Sequence, residues 1–502
     1  MSSSLVVVYH RQPFEEQIVD GKTVVRSHRS PNGIVPTLRG FFQYFDKGTW
    51  VAWTEVSEDQ AGGVVSEREV AYAGEHYHVS QVGLTPEQVH SFYKVTSKAS
   101  LWPVLHTFPN MFDYDAADWD TFREVNRIFA KATCEVAEEG AWIWVHDYNL
   151  WLVPKMIRDM RPDLKIAFFH HTPFPSSDVF GVLPWRTEIT ESLLSCDRVG
   201  FHIPRYAENF AGVARAFGGA RATRREPVSE RLRPEGWALQ ESWCVTELEW
   251  EGRKIAVDSV PLGVNVDQIE ATVNAPEARA RAADIREQIR VDTMLFAVSR
   301  VDYTKGTLEM LQCYERLLQR RPDLINKIKL YVVCVAPAKG MAVYDQIQAE
   351  IEQKVGSING KYSQLGWVPV VLFSTPLQFS ELMSWYMAAD VCWITPLRDG
   401  LNLVVKEYVA AKQGEPGRLI LSEFTGAAVE LSDAILTHPY SARSMDSAID
   451  EALAMGDEQA REHMQAMHRG IRTHDLAAWT RRLLERFGVD SSAVGQSKGA
   501  AA

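Results

Sequence analysis

The chain has 502 residues, longer than one hydrophobic core usually grows, so two domains are expected. Hydrophobic residues make up 46% and charged residues 24%, with 31 Gly and 23 Pro, which excludes collagen-like and disordered classes. Lys and Arg number 53 against 65 Asp and Glu, and the formal charge of -12 argues against a general polyanion or membrane-surface binder, so any bound phosphate must meet locally placed cations.

The opening MSSSLVVVYHR has too few apolar residues before Tyr9, His10 and Arg11 for a signal peptide, and no later run approaches the roughly 20 apolar residues of a membrane span. The six cysteines, at 134, 196, 244, 313, 334 and 392, form no CxxC pair, which suggests neither a disulfide framework nor a cysteine zinc site. A soluble cytoplasmic protein is expected. Ala141 to Val145 reads as a strand, Leu150 to Met160 as a helix stopped before Pro162, and Lys165 to Phe169 as the next strand, followed by the loop HHTPFPSSD, a helix from Glu188 to Leu194 and a strand from Arg198 to His202. Residues 221–240 carry five arginines among glutamates and read as a solvated insertion rather than a nucleic-acid patch. Trp243 to Trp250 and Arg253 to Val260 alternate around Glu251 and Gly252, a β-hairpin, and the domain hinge is expected at Pro261, Leu262 and Gly263. A second strand–loop–helix series follows: Met294 to Ser299, RVDYTKG, a helix from Thr307 to Gln319, and strands Lys329 to Val335, Val368 to Phe373 and Asp390 to Ile394. The last exits into TPLRDGLN and a helix from Leu403 to Lys412, and Arg418 to Leu421 then leads into SEFTG. This alternation predicts an α/β chain of two doubly wound parallel sheets.

In such sheets ligands bind beyond the carboxyl ends of the strands, where helix amino termini point their free N–H groups. No GxGxxG follows any strand, which disfavours dinucleotide dehydrogenases. Arg300 and Lys305 share one exit loop and suit a diphosphate leaving group, or are a solvated surface pair. Asp399, Gly400, Leu401 and Asn402 precede a helix: Gly400 permits close backbone approach to a sugar or phosphate, while Asp399 also reads as a helix cap. Glu407 beside Lys406 reads as a solvated pair or a ribose contact. His170 and His171 end an apolar strand, with core or capping roles as the alternative to donation toward a substrate hydroxyl; there is no HExxH and no third ligand nearby, so no metal is expected. His146 and Asp147 occupy the exit of the preceding strand, as site residues or as a buried structural pair.

Taken together, SPNGI at 30–34, LWP at 101–103, VHDYNL at 145–150, FFHHTPFP at 168–175, SRVDYTKG at 299–306 and RDGLNLVVKEY at 398–408 resemble, in order and spacing over nearly the whole chain, the trehalose-phosphate synthase family of glycosyltransferases. HHTPFP, HDYN and the single-glycine SPNGI stand where trehalose-phosphate synthases typically carry HIPFP, HDYH and a double glycine, so the likeness is nearest the branch of that family that forms glucosylglycerol phosphate. The resemblance implies a GT-B fold, two Rossmann-like doubly wound domains facing across a cleft. An acceptor-side domain would span 1–262 and a nucleotide-sugar-binding domain 263–470, with a helix over 471–489 crossing back to the first domain and a frayed tail over 490–502. It implies cofactor-free, metal-independent transfer with retention, from ADP-glucose to glycerol 3-phosphate, giving a compatible-solute precursor and ADP, with no nucleic acid or membrane as partner and homo-oligomerisation left open. By motif, Arg300 and Lys305 would bind the donor diphosphate, Asp399 and the backbone of Gly400, Leu401, Asn402 and Leu403 the glucose and phosphate, and Glu407 the ribose. His171 would contact the donor glucose and Asp147 the acceptor; Arg11, Gly33, Tyr93 and Trp102 would line the junction of the two sites, with Lys339 toward the acceptor phosphate.

Three alternatives remain at this level. Trehalose-phosphate synthesis from glucose 6-phosphate is the runner-up. A glycosidase would need two flanking carboxylates and would leave Arg300 and Lys305 without purpose. A non-catalytic sugar-phosphate sensor is the alternative of a different class, because fold alone does not establish activity.

Overall fold

The computed structural model describes residues 2–19, 22–26, 33–72, 75–232, 236–336, 341–492 and 494. The chain forms two compact units: Met1–Ser229 with Glu241–Pro261 and Trp479–Ala502, and Glu230–Gln240 with Leu262–Ala478. No helix among the described residues is long and apolar enough to cross a membrane.

The first unit is built on a ten-stranded sheet in the order Arg221–Pro227, Trp243–Trp250, Arg253–Ser259, Arg198–Phe201, Lys165–His170, Ala137–His146, Ser3–Val8, Gly48–Glu55, Glu75–Leu84 and Val64–Tyr72. The seven strands from Arg253–Ser259 to Glu75–Leu84 are mutually parallel, and an antiparallel strand pair closes each edge. Ser3–Val8 lies in the middle with Leu5 to Val8 completely buried, because a parallel strand covered on both faces needs a continuous apolar run. The same short run that is too brief for a signal peptide is therefore the central strand. The hairpin between Trp243–Trp250 and Arg253–Ser259 turns at Glu251 and Gly252, both with positive φ (49° and 78°), as a two-residue turn with the twist of its strands requires.

The segment expected as a solvated insertion over 221–240 is divided. Arg221–Pro227 is an edge strand exposed at every position, with Arg221 paired to Glu249 at 2.9 Å and Arg225 to Glu208 at 2.8 Å. Its charges blunt an edge that would otherwise template pairing with another chain. Glu230–Gln240 belongs instead to the second unit, where the Ala238 amide donates to Glu423 at 3.1 Å.

The second unit has six parallel strands in the order Val370–Phe373, Ile328–Val335, Thr293–Arg300, Val391–Ile394, Arg418–Ser422 and Ile435–Thr437. This is the 3-2-1-4-5-6 order of a dinucleotide-binding sheet, reached without its glycine fingerprint. The helix Asp457–Thr473 is followed by Leu476–Phe487, which lies within 471–489, and the chain rejoins the first unit at Trp479. There Trp479 packs edge-on against Phe41 and Phe169, its indole donates to the Val260 carbonyl at 3.2 Å, and Trp142 donates to the Phe487 carbonyl at 2.9 Å. Arg486 pairs with the buried Asp258, which also holds Arg198 at 2.5 Å.

Candidate active site

In the first unit the strand order reverses between Ser3–Val8 and Ala137–His146, so a crevice beyond their carboxyl ends is the expected ligand position. Two short segments leave those ends, Tyr9 to Arg11 and His146 to Tyr148. Asp147 takes φ 68°, a conformation costly for a residue with a side chain, and it is almost fully buried. Its amide donates to the Phe169 carbonyl at 2.9 Å, and its carboxylate accepts the backbone N–H groups of Tyr148, at 3.1 Å, and of His171. Burial raises its pKa to about 6, even though those bonds and the charges of Lys98 and Arg11 favour the carboxylate. His146 Nδ1 lies 3.1 Å from His171 Nε2, and burial, reinforced by mutual repulsion among the histidines of this cluster, holds both pKa values well below the usual range, so both rings are neutral. Among the described residues the other His171 ring nitrogen is buried with no hydrogen-bond partner.

The structure also brings Arg11, Tyr93 and Trp102 to this end of the sheet. Arg11 is exposed and its guanidinium donates to the Tyr93 hydroxyl, while its carbonyl is fixed by the Trp50 indole at 2.9 Å. Gly33 precedes the short helix Ile34–Arg39 at φ 125°, open only to glycine, whereas Pro31 and Asn32 before it lie outside the described residues, as does Lys339. His170 and Thr172 bond to each other at 2.9 Å, and His170 lies parallel to the Trp151 ring, so these two brace their own loop. Asn149 is likewise buried, donating to Ser97 Oγ at 2.8 Å.

That bond leads to Lys98, which no sequence motif marks. Residues His90–Leu101 form a twelve-residue π-helix, far longer than the usual single-turn bulge. Its five-residue hydrogen-bond spacing puts Tyr93 and Lys98 on one face, and Lys98 Nζ sits 3.9 Å from the centre of the Trp102 indole and 5.8 Å from that of the Tyr93 ring. A helix of period 3.6 would turn positions 93 and 98 apart, which is why a pattern search at that period passes over Lys98.

In the second unit the sheet reverses between Thr293–Arg300 and Val391–Ile394. Arg300 ends the first of these strands, exposed, and Asp302 then caps the turn Tyr303–Lys305 by accepting from Thr304 N and Oγ1 at 3.0 and 2.8 Å. Gly306 follows at φ 64°, and a Cβ there would lie 2.1 Å from the Thr395 carbonyl oxygen, so only glycine lets the two exit loops approach. They are joined by Leu397 N donating to Thr304 O at 2.8 Å and by an ion pair of Lys305 Nζ with Asp399 Oδ2 at 2.8 Å, both partners 13% exposed. Asn402, not Asp399, caps the helix Leu403–Lys412, accepting the Val405 amide at 3.2 Å, and its own amide donates to Asp399 Oδ2 at 3.1 Å. Gly400 and Leu401 are buried in this turn, against which Gly426 packs so closely that a Cβ on it would lie 2.1 Å from the Gly400 oxygen. Glu407 is buried on the helix. Lys406 is not half of a solvated pair: it is completely enclosed, bound to Glu430 at 2.5 Å and to the Leu262 carbonyl at 2.8 Å.

Each unit thus presents a cluster at its own switch point, one with two cations, a carboxylate and neutral imidazoles, the other with two cations, a carboxylate and a helix amino terminus. Among the described residues no group of three His, Cys, Asp or Glu side chains could hold a metal ion. Residues 3–488 match the family model described as glycosyltransferase family 20. A glucosylglycerol-phosphate synthase of Synechocystis sp. is 49% identical over 490 residues, 98% of each chain, and a trehalose-6-phosphate synthase of a Mycobacterium sp. is 36% identical over 98% of this chain and 97% of its own. The crystal structure of a UDP-forming α,α-trehalose-phosphate synthase of Burkholderia xenovorans in complex with glucose-6-phosphate superposes with a TM-score of 0.82 at 26% identity, over 96% of this chain and 99% of that one, so the two doubly wound units have the GT-B fold. The family match and the relatives extend over both clusters, and on that evidence the chain belongs to glycosyltransferase family 20.

Proposed function

We propose that the protein is a glucosylglycerol-phosphate synthase, transferring glucose from ADP-glucose to glycerol 3-phosphate with retention and releasing ADP. The observation that carries this reading is the 49% identity, over 98% of both chains, to a relative of that name, against 36% for the trehalose-6-phosphate synthase. Six free cysteines, five of them buried, fit a reducing cytoplasm.

In this reading the second unit holds the donor. Arg300 and Lys305 meet the diphosphate as its negative charge grows, the amino terminus of Leu403–Lys412 faces the same charge, and Glu407 takes the ribose. Asp399, oriented by Lys305, by Asn402 and by the Leu401 amide, faces the glucose hydroxyls. The first unit holds the acceptor: Arg11 and Tyr93 reach its phosphate, and Asp147, ionised above about pH 6, accepts from the acceptor hydroxyl that does not attack. His171, neutral and backed by His146, donates to the donor sugar without adding charge. The leaving diphosphate takes the acceptor proton, so no protein nucleophile is required.

The test is a matrix of ADP-glucose and UDP-glucose against glycerol 3-phosphate and glucose 6-phosphate, read by product mass and anomeric coupling constant. The expected product is the α-glucoside of glycerol 3-phosphate, formed at least about 100-fold more efficiently than trehalose 6-phosphate, a discrimination typical of sites that leave polar groups unpaired with the wrong substrate. Equal or better use of glucose 6-phosphate overturns the acceptor assignment and leaves the transferase assignment standing.

A further inference from the structure

We propose that Lys98 is a phosphate-binding cation that acts with Arg11 to select a phosphorylated over an unphosphorylated acceptor. This rests on the reading of Arg11, Tyr93, Trp102 and Asp147 as the acceptor side.

Two observations place the charge. The Lys98 ammonium lies over the face of the Trp102 indole, 3.9 Å from its centre, which holds a flexible side chain in one position. Lys98 and Arg11 also act electrostatically on the same two groups, the neutral His10 and the carboxylate of Asp147, so the two cations converge on one region although they come from different elements. Together they bring two positive charges to the region of Asp147, in a chain whose formal charge is -12. A phosphate monoester, with a charge of about -1.5 to -2 near neutral pH, is the ligand class that matches such a pair. The two donors differ in kind: Arg11 offers a fork fixed by Tyr93, and Lys98 a compact ammonium with three donors. The π-helix is what makes the pairing available, since its spacing carries Tyr93 and Lys98 on one face while Ser97, on the same element, binds Asn149 beside Asp147.

The experiment compares the wild-type full chain with Lys98→Gln, Lys98→Met and Lys98→Arg. Initial rates are measured with whichever of glycerol 3-phosphate and glucose 6-phosphate the wild type uses faster, so an error in acceptor identity does not disturb the reading. Inorganic phosphate is titrated as a competitor of the acceptor. Loss of the charge by Gln or Met is expected to raise both the acceptor KM and the phosphate inhibition constant by about 10- to 100-fold, the range for one charge-assisted hydrogen bond. The KM for the nucleotide sugar should stay within about twofold, and Lys98→Arg should recover most of the loss. If one neutral variant fails to fold by circular dichroism, the other carries the comparison, and if neither folds, Lys98→Ala, which also removes the charge, takes their place with the same expected rises. Unchanged acceptor KM and phosphate inhibition in a folded neutral variant, or equal rises for donor and acceptor, would overturn it.

Discussion

Asp147 combines a positive φ, near-complete burial and a pKa raised to about 6, and each follows from its position one residue past a central strand. The sign of its effect on stability is set by the raised value. The folded chain holds the proton more tightly than an unfolded one, whose carboxyl titrates near 3.9, so stability is lost as pH rises from about 4 to about 6 and the cost, roughly 3 kcal/mol, persists above that. Asp147→Asn keeps the shape and removes the charge. It is expected to raise the melting temperature at pH 8, to have no such effect at pH 4, and to lose most turnover at both. Calorimetry at the two pH values checks this, and equal shifts at pH 4 and 8 would mean that burial of the charge is not what Asp147 costs. That a carboxylate follows the strand at 147 is legible in HDYN, whereas the backbone held by the Phe169 carbonyl and the burial that raises the pKa are supplied only by folding.

At the scale of elements, the helix Leu403–Lys412 shows how a sequence pattern conceals a role. Adjacent Lys406 and Glu407 read as a solvated pair, yet all the residues from Val405 to Lys412 are buried, and Lys406 binds Glu430 and the Leu262 carbonyl. Removing one partner of such a pair strands the other charge, so Lys406→Met is expected to destabilise by about 3 to 5 kcal/mol. Lys406→Met combined with Glu430→Leu should recover most of that loss, because an apolar pair of similar volume leaves no buried charge unpaired. Urea midpoints of the two variants decide it; a double variant no more stable than the single would show that the ion pair is not the source. The strand exits at 146–149, 170–175, 300–306 and 395–402 were readable, since each apolar run is short and ends in turn chemistry. Less readable are Ser3–Val8, whose apolar run is short and has no turn motif before it, and His90–Leu101, whose period belongs to neither of the common patterns.

Over the whole molecule, burial depresses the pKa of His10, His146, His170 and His171, that of His170 to about 3. A histidine whose folded pKa is lowered supplies stability that is full above the unfolded value, near 6.5, and is lost as pH falls below it, at about 1.4 kcal/mol per pH unit for each such ring. Asp147 works in the opposite direction between about pH 6 and 4, but it is one group against four. All four histidines lie in the first unit. Scanning calorimetry is therefore expected to show the transition of the first unit moving down by several degrees between pH 7 and 5 while that of the second moves less. Equal movement of both would contradict the assignment of acid sensitivity to these rings.

What the sequence by itself determined is local: apolar runs long enough for a buried strand, the turn residues that end them, and the motif chemistry at the exits, enough for two doubly wound sheets and for naming Arg300, Lys305, Asp399, Asp147 and His171 as candidates. Which exits lie next to each other was decided by the tertiary structure, because strand order is set by long-range pairing that no local pattern records. The same pairing joined Lys305 to Asp399 across 94 residues, put His146 against His171, and moved residues 230–240 into the second unit. Lys98 depended on it too, since a π-helical register is unfavourable in isolation and is held here by packing against its neighbours, with Ser97 bound to Asn149.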